Sequence, residues 1–342
     1  MQMEFVRRMP QPQEMMRDYP VSAELRAHKA ARDREIREIL TGKDDRLLMI
    51  VGPCSADRED AVLDYMGRLA GLAEEVREKL MIIPRVYTNK PRTKGIGYKG
   101  MLHQPDVHKG EDMLAGIIAI RQLHTRILTE TGFSCADEML YPSNYSYLSD
   151  LLSYVAVGAR SVENQEHRLV ASGLDVPVGM KNPSAGDIRV MMNSIAAAQS
   201  PQEFIYRTWE VHTPGNALTH AILRGYVDNF GRSHPNYHYE NLRELLEMYR
   251  NSGLANPAVI VDANHNNSGK QYLEQIRICH DVMHSRALDG EIRGLVKGLM
   301  VESYLEDGAQ EVGGGVYGRS ITDPCLGWEK TRALMLRLAE LA

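Results

Sequence analysis

The sequence predicts an α/β protein, a (β/α)8 TIM barrel carrying an N-terminal extension and an added surface hairpin. Two observations lead there. About eight short strand candidates alternate for the most part with segments of helical periodicity, the rhythm of a closed parallel barrel. Nearly every one of them also runs into a polar, chemically capable residue: Cys54, Arg85, Glu138, Arg160, Lys181, Arg224, His265, Glu302. Scattered through an apolar core, such groups would each be costly to bury. Converging on one wet pocket at the carboxyl ends of the strands, where α/β folds place their chemistry, they become tolerable together. An open doubly wound sheet is the competing fold.

The first strand sets the pattern. Leu47 to Val51 is continuously apolar, without the alternation of a half-exposed strand, and Gly52-Pro53 close it before Cys54 and Ser55. A strand buried on both faces belongs to a parallel sheet. Ahead of it, residues 22–40 have loosely helical spacing with Ser22 as cap and Glu24 in the first turn, and Gly42 ends them. Residues 59–79 are helical through Val62, Tyr65, Leu69, Leu72 and Val76 and lead into a strand from Met81 to Tyr87, so a β-α-β unit is complete. Further strands are expected at 134–138, 154–160, 176–181, 220–224, from 258 to an end between 262 and 265, and 295–302. Amphipathic helices are expected at 240–251, 271–287 and 326–341. Residues 204–209 and 211–214 break the rhythm and read as the added hairpin. Met1 to Pro20 lack periodicity and read as an arm; the division expected is 1–40 for arm and helix and 41–342 for the barrel.

Composition bounds the function. A 342-residue chain with 43% hydrophobic and 25% charged residues can bury a large core, and a net charge of −5 with dispersed Lys and Arg gives no reason to invoke nucleic acid or an anionic membrane. The four cysteines, Cys54, Cys135, Cys279 and Cys325, show no CxxC spacing, and no secretory signal or membrane-length apolar run is seen. A cytoplasmic protein is expected. There is no Walker P-loop and no GxGxxG, which disfavours nucleotide binding.

Arg85, Lys90, Arg92, Arg160, Lys181 and Arg224 fall at or just after strand ends. Any one alone would be an ordinary surface charge. A pocket holding all of them repels itself unless it takes strongly anionic ligands, and guanidinium forks suit phosphate and carboxylate. Asn89-Lys90-Pro91-Arg92-Thr93-Lys94-Gly95 is a stiffened loop able to grip a phosphate. Cys54, His265, Glu302 and Asp323 form a mixed thiolate, imidazole and carboxylate set suited to a divalent metal such as Mn, Fe, Co or Zn. Spacing alone does not establish that site, because a lone strand-end His is more often hydrogen-bonded than metallated.

These residues fall within a set of motifs that runs in order from about residue 40 to the end of the chain: Val51-Gly52-Pro53-Cys54-Ser55; Arg85-Val86-Tyr87 with Lys90-Pro91-Arg92-Thr93; Gly158-Ala159-Arg160; Pro177 to Asn182; Leu223-Arg224-Gly225; Asp262 to His265 with Asn267-Ser268 and Lys270-Gln271; Met300 to Ser303; and Ser320 to Asp323 with Gly327-Trp328. Together they resemble the type I 3-deoxy-D-arabino-heptulosonate 7-phosphate (DAHP) synthases. The resemblance implies a metal-dependent barrel enzyme, a transferase condensing phosphoenolpyruvate with erythrose 4-phosphate and releasing phosphate, at the first step of the shikimate pathway and so of aromatic amino acid biosynthesis. By position, Cys54, His265, Glu302 and Asp323 would be the metal ligands. Arg85, Lys90, Arg160, Lys181 and Arg224 would hold phosphoenolpyruvate, with Glu138 and Ala159 beside it. Pro91, Arg92 and Thr93 would take the aldose phosphate. Lys90, with Cys54 and His265, would stand at the reacting centre. A homodimer or homotetramer is expected, as is usual in that family.

Departures from the family pattern gather on the aldose side: Lys94 for a second Thr, Tyr98 for the usual Trp, Pro183-Ser184-Ala185-Gly186 after the strand-five lysine, Ala263-Asn264 before His265, and Asp137 before Glu138. They leave the acceptor aldose open. A short segment between Trp209 and Leu223, and Asp175 at a position usually small and uncharged, lead to no expected feedback effector. The alternatives are a related phosphoenolpyruvate condensation with another phosphorylated aldose, such as 3-deoxy-octulosonate 8-phosphate synthesis, a class II metalloaldolase, and a non-catalytic regulatory barrel.

Overall fold

The computed structural model describes residues 2–92 and 95–342. Eight parallel strands form one sheet: β1 (Leu47–Gly52), β2 (Leu80–Pro84), β3 (Cys135–Glu138), β4 (Leu152–Val157), β5 (Val178–Lys181), β8 (His220–Leu223), β11 (Val259–Asp262) and β12 (Val296–Glu302). Their order is β2-β1-β12-β11-β8-β5-β4-β3. The two ends of that sheet meet through a parallel bridge between Arg85 and Ala136, where the Val86 amide donates to the Ala136 carbonyl at 2.9 Å. The result is the nearly closed (β/α)8 barrel that the strand rhythm predicts.

Side-chain alternation within fully buried strands explains why the sequence shows no polar period. Leu48 and Ile50 of β1 join Met81, Ile83, Tyr154, Ile222, Ile260 and Met300 in an interior cluster. Leu47, Met49 and Val51 face outward into a second core shared with the surrounding helices. Both faces are apolar, as parallel sheets require. Helix α2 (Ala23–Leu40) places Ile36, Ile39 and Leu40 in the interior cluster, so it closes the amino-terminal end of the barrel. The Ser22 hydroxyl caps it by accepting the Leu25 amide at 3.2 Å.

The other helices, in chain order, are α3 (Glu59–Val76), α4 (Met113–Thr131), α5 (Gln165–Ala171), α6 (Ile188–Gln199), α7 (Tyr239–Ser252), α8 (Glu274–Leu288), α9 (Gly290–Leu295) and α10 (Trp328–Leu341). The added hairpin is β6 (Gln202–Tyr206) paired with β7 (Trp209–Thr213), turning at Arg207 and Thr208, both with positive φ. Trp209 is 73% exposed on it.

Two expectations need correction. Strand two ends at Pro84 rather than Tyr87, and strand four ends at Val157 rather than Arg160 and strand six at Leu223 rather than Arg224, the last two because Gly158 and Gly225 turn the chain there. The arm is not uniformly irregular: α1 (Pro12–Asp18) is held by a Gln11/Glu14 capping box and buries Met15. A small hairpin, β9 (Tyr226–Val227) with β10 (Ser233–His234), sits in the loop after β8, a stretch to which the sequence reading assigns no element.

Candidate active site

The loops at the carboxyl ends of the strands enclose a cleft of about 410 Å³. Cys54, Arg85, Lys90, Pro91, Arg92, Glu138, Ala159, Arg160, Lys181, Arg224, His265 and Asp323 all line it. Glu302, the last residue of β12, lies fully buried beneath it. Thr93 lies outside the described residues. The strand-end positions therefore do meet in one pocket.

Arg85 is fully buried immediately after β2, its guanidinium 2.8 Å from Glu302 Oε1 and stacked 3.8 Å from the centre of the Tyr87 ring. A guanidinium tolerates such a site because both a carboxylate and a π-face compensate it. Lys181 ends β5 with Nζ 3.2 Å from Asp262 Oδ2. The guanidinium of Arg224 donates to Asn266 Oδ1 at 2.8 Å, and its amide donates to Asn182 Oδ1 at 2.9 Å. Arg160 and Arg92 stand exposed at the rim. Lys90 reaches inward, donating to Cys54 Sγ at 3.0 Å.

Under these cations, ligand atoms of Cys54, Glu302 and Asp323 lie within 4.8 Å of one another. His265 does not join that cluster within the same limit, but its Nε2 is 3.7 Å from Glu302 Oε1. Its Nδ1 is 2.8 Å from Asp262 Oδ2. A carboxylate behind the far ring nitrogen is the usual partner of a metal-ligating histidine. His265 also holds φ +53, a conformation uncommon for a residue with a side chain. Burial, the largest influence, lowers the His265 pKa and keeps the imidazole neutral. Burial also opposes the ionisation of Glu302, but Arg85, then His265 and Lys90, hold its carboxyl below the usual range. Asp323 is likewise disfavoured by burial, yet Lys270, 2.9 Å away, keeps it at about 2. Burial pushes the Cys54 thiol up, Glu302 adds to this, and Lys90 opposes it. A neutral imidazole, two ionised carboxylates and a thiol beside a cation are a donor set that fits a divalent ion.

Sequence reasoning gave no role to Asp262, Asn264 and Lys270. Asn264 donates to Glu302 Oε2 at 2.6 Å and accepts from Ser268 at 2.8 Å. The signal was the polar run from Asn264 to Lys270 directly behind an apolar strand, too dense for an ordinary connection.

The family model described as "DAHP synthetase I family" matches residues 18–336. The chain belongs to the DAHP synthetase I family. Among DAHP synthetase I relatives, the Phe-sensitive phospho-2-dehydro-3-deoxyheptonate aldolase of Escherichia coli (strain K12) is 39% identical over 96% of this chain and 93% of its own length. A phospho-2-dehydro-3-deoxyheptonate aldolase of Haemophilus influenzae is 37% identical over 96% of this chain and 90% of its own. The solved structure of the phospho-2-dehydro-3-deoxyheptonate aldolase of Francisella tularensis SCHU S4 superposes with a TM-score of 0.92 at 31% identity, covering 99% of this chain and 98% of that one. Among the described residues, no helix is long and apolar enough to cross a membrane.

Proposed function

We propose that the chain is a metal-dependent DAHP synthase that joins phosphoenolpyruvate to erythrose 4-phosphate and releases phosphate, supplying the first step of the shikimate pathway. The observation that carries this reading is the cleft itself, in which phosphate-suited cations surround the Cys54, Glu302 and Asp323 cluster. A metalloaldolase needs the cluster without so many cations, and a binding-only barrel has no need of the cluster.

Arg160, Lys181 and Arg224 bind the phosphate and carboxylate of phosphoenolpyruvate, which fixes the enol carbon and leaves Arg85 to balance the charge beneath it. Arg92, with Thr93, takes the phosphate of the aldose. Held between these anchors, the two anions react as an oriented pair rather than as repelling solutes. A divalent ion at Cys54, His265, Glu302 and Asp323 would polarise the aldehyde oxygen when bound. Lys90 Nζ holds the proton that neutralises the alkoxide as the carbon-carbon bond forms. Water then adds to the cationic carbon left behind, and the phosphate departs into a field of fixed cations. The enzyme works in the cytosol as a homodimer or homotetramer, with the exposed Ile205 and Trp209 of the hairpin and the Phe5 and Val6 of the arm as apolar surface for self-association.

The acceptor has a second reading. Ser184 and Val227, from the departing stretch after β5 and from the small hairpin, both line the cleft, and a modified phosphorylated aldose would meet them. The test supplies manganese-loaded protein with phosphoenolpyruvate and either erythrose 4-phosphate or a panel of phosphorylated aldoses, following phosphate release. Turnover with erythrose 4-phosphate that a chelator abolishes is the expected result. Turnover confined to another aldose would replace the acceptor, and none with any acceptor would remove the catalytic reading.

A further inference from the structure

The segment leaving β2 is pinned at its base before it reaches the cleft. The Thr88 carbonyl accepts the Leu102 amide at 3.2 Å, and the Lys90 amide donates to the Lys99 carbonyl at 3.0 Å. Gly100, at φ +98, allows this close return, since a Cβ there would lie 2.4 Å from the Thr88 carbonyl oxygen. These contacts tie the loop to itself. Beyond the Val86–Ala136 backbone bond, the tie to the barrel on the β3 side is Asp137. Its Oδ1 accepts the Thr88 amide at 2.9 Å and the Glu138 amide at 2.7 Å, and its Oδ2 accepts the Thr88 hydroxyl at 2.5 Å.

Both residues are buried, Thr88 completely and Asp137 to 3% exposure. Behind the carboxylate stands α4, where His124 is also buried, Nε2 4.0 Å from Asp137 Oδ2, with neither ring nitrogen hydrogen-bonded within the protein. A carboxylate between a strand and a helix is an expensive way to fill space, and an apolar side chain would pack there more cheaply. Two of its three donors come from one neighbour, Thr88, which lies two residues before Lys90 and four before Arg92.

We propose that Asp137 is a positioning residue for the aldose half of the reaction, its grip on Thr88 setting where Lys90 and Arg92 stand over the cleft. This rests on the reading of Arg92 as the anchor of the aldose phosphate and of Lys90 as the holder of the proton for the aldehyde oxygen. Arg160, Lys181 and Arg224 leave from β4, β5 and β8, so the grip bears chiefly on the aldose and reaches phosphoenolpyruvate only through Lys90. Four residues of extended chain reach about 14 Å, so a change of about 10° in the direction leaving Thr88 moves Arg92 by roughly 2 Å. Misplacing a reacting or anchoring group by about 1 Å costs on the order of a hundredfold in rate.

The test uses the full, metal-loaded chain with Asp137→Leu, Asp137→Asn and Thr88→Val. Steady-state kinetics with both substrates are combined with calorimetric titration by phosphoenolpyruvate alone and amide hydrogen exchange over residues 88–92. In Asp137→Leu, the KM for the aldose phosphate should rise at least about tenfold, while phosphoenolpyruvate affinity stays within about twofold. Asp137→Asn keeps an acceptor for the Thr88 amide and should recover most of the loss. Thr88→Val, which keeps the amide contact and loses the hydroxyl with its bonds to Asp137 and from Asn89 Nδ2, should fall between and serves if Asp137→Leu does not fold. Exchange at Thr88 should quicken in the Leu variant and not in the Asn variant. Equal losses for both substrates, an Asn variant no better than Leu, or unchanged exchange at Thr88 would each overturn the proposal. Should erythrose 4-phosphate not be the acceptor, the unsubstituted protein would also be inactive with it, while the exchange measurement would still decide whether Asp137 holds the loop.

Discussion

Replacing Glu302 by Gln keeps the shape of the side chain and removes its charge from the most enclosed point of the cleft. Its partner Arg85 is fully buried, with the ion pair at 2.8 Å. In the variant that guanidinium shares its surroundings with Lys90, Lys181 and Arg224, and Asp262 remains as the buried carboxylate nearby. Removing one member of a buried ion pair costs about 3–5 kcal/mol, because the surviving charge stays desolvated. The amide oxygen can still accept from Arg85, but the amide nitrogen then faces the Asn264 donor that now lies 2.6 Å from Oε2, and an unsatisfied buried donor costs about 1–3 kcal/mol. A net loss of roughly 3–5 kcal/mol in unfolding free energy is expected from urea titration in the presence of chelator. A second readout carries a sign. Burial and then Glu302 raise the Cys54 pKa, so the variant should form its thiolate at lower pH, read by thiolate absorbance against a Cys54→Ser control. A stability loss below about 1 kcal/mol, or a Cys54 pKa that rises, would refute the view that Glu302 is the counter-charge holding this cluster together.

Other consequences are simpler to state. Arg92→Ala should raise the KM for the aldose phosphate on the order of a hundredfold while leaving phosphoenolpyruvate binding in place, as measured by steady-state kinetics and calorimetry. Chelation should abolish turnover, and a divalent ion should restore it in the parent protein but not in Cys54→Ser or Asp323→Asn, with the lost affinity read directly by metal titration. Burial raises Asp137 from 3.8 to about 7, so the fold favours its neutral form and pays increasingly as pH climbs between those values. The stability of Asp137→Asn relative to the parent should therefore grow by roughly 3–4 kcal/mol from pH 4 to pH 8 and level off above, as followed by denaturant titration. Trp209→Asp should shift the particle to a smaller species in size-exclusion chromatography with light scattering, because a charge on the hairpin opposes burial against a second copy.

Local chemistry made the barrel legible. Leu47 to Gly52 could be recognised because a run buried on both faces contains no polar period and ends at Gly-Pro. The convergence of Arg85, Lys181 and Arg224 was legible because the strand ends of a barrel share one rim. What could not be read were arrangements fixed by conformation or distance. The ion pair of Lys270 with Asp323 depends on φ +64 at Lys270 and joins residues on different loops. The grip of Asp137 on Thr88 spans 49 positions. The strand patterns of β4 and β8 read too far because Arg160, just beyond Gly158, and Arg224, just before Gly225, resemble chemically capable strand ends. Gly158 turns away under the Glu138 carboxylate, which would lie 2.5 Å from a Cβ there. The helix α1 escaped notice because a short, polar helix owes its existence to its capping box and to what Met15 packs against.

The pairing of the first barrel strand with the last has a consequence for how the molecule is made. Leu48 finds its neighbour Gly298 some 250 residues later. On a ribosome adding about 5–20 residues per second, the β1 edge waits on the order of 10–50 s for that neighbour. The same late segment brings Glu302, and Asp323 follows it. Cys54, among the earliest parts of the barrel to emerge, thus gains its carboxylate neighbours only when the cylinder can shut. A chain broken off before β12 has neither a sealed sheet nor the Cys54, Glu302 and Asp323 cluster, so the nascent protein acquires both in a single late event.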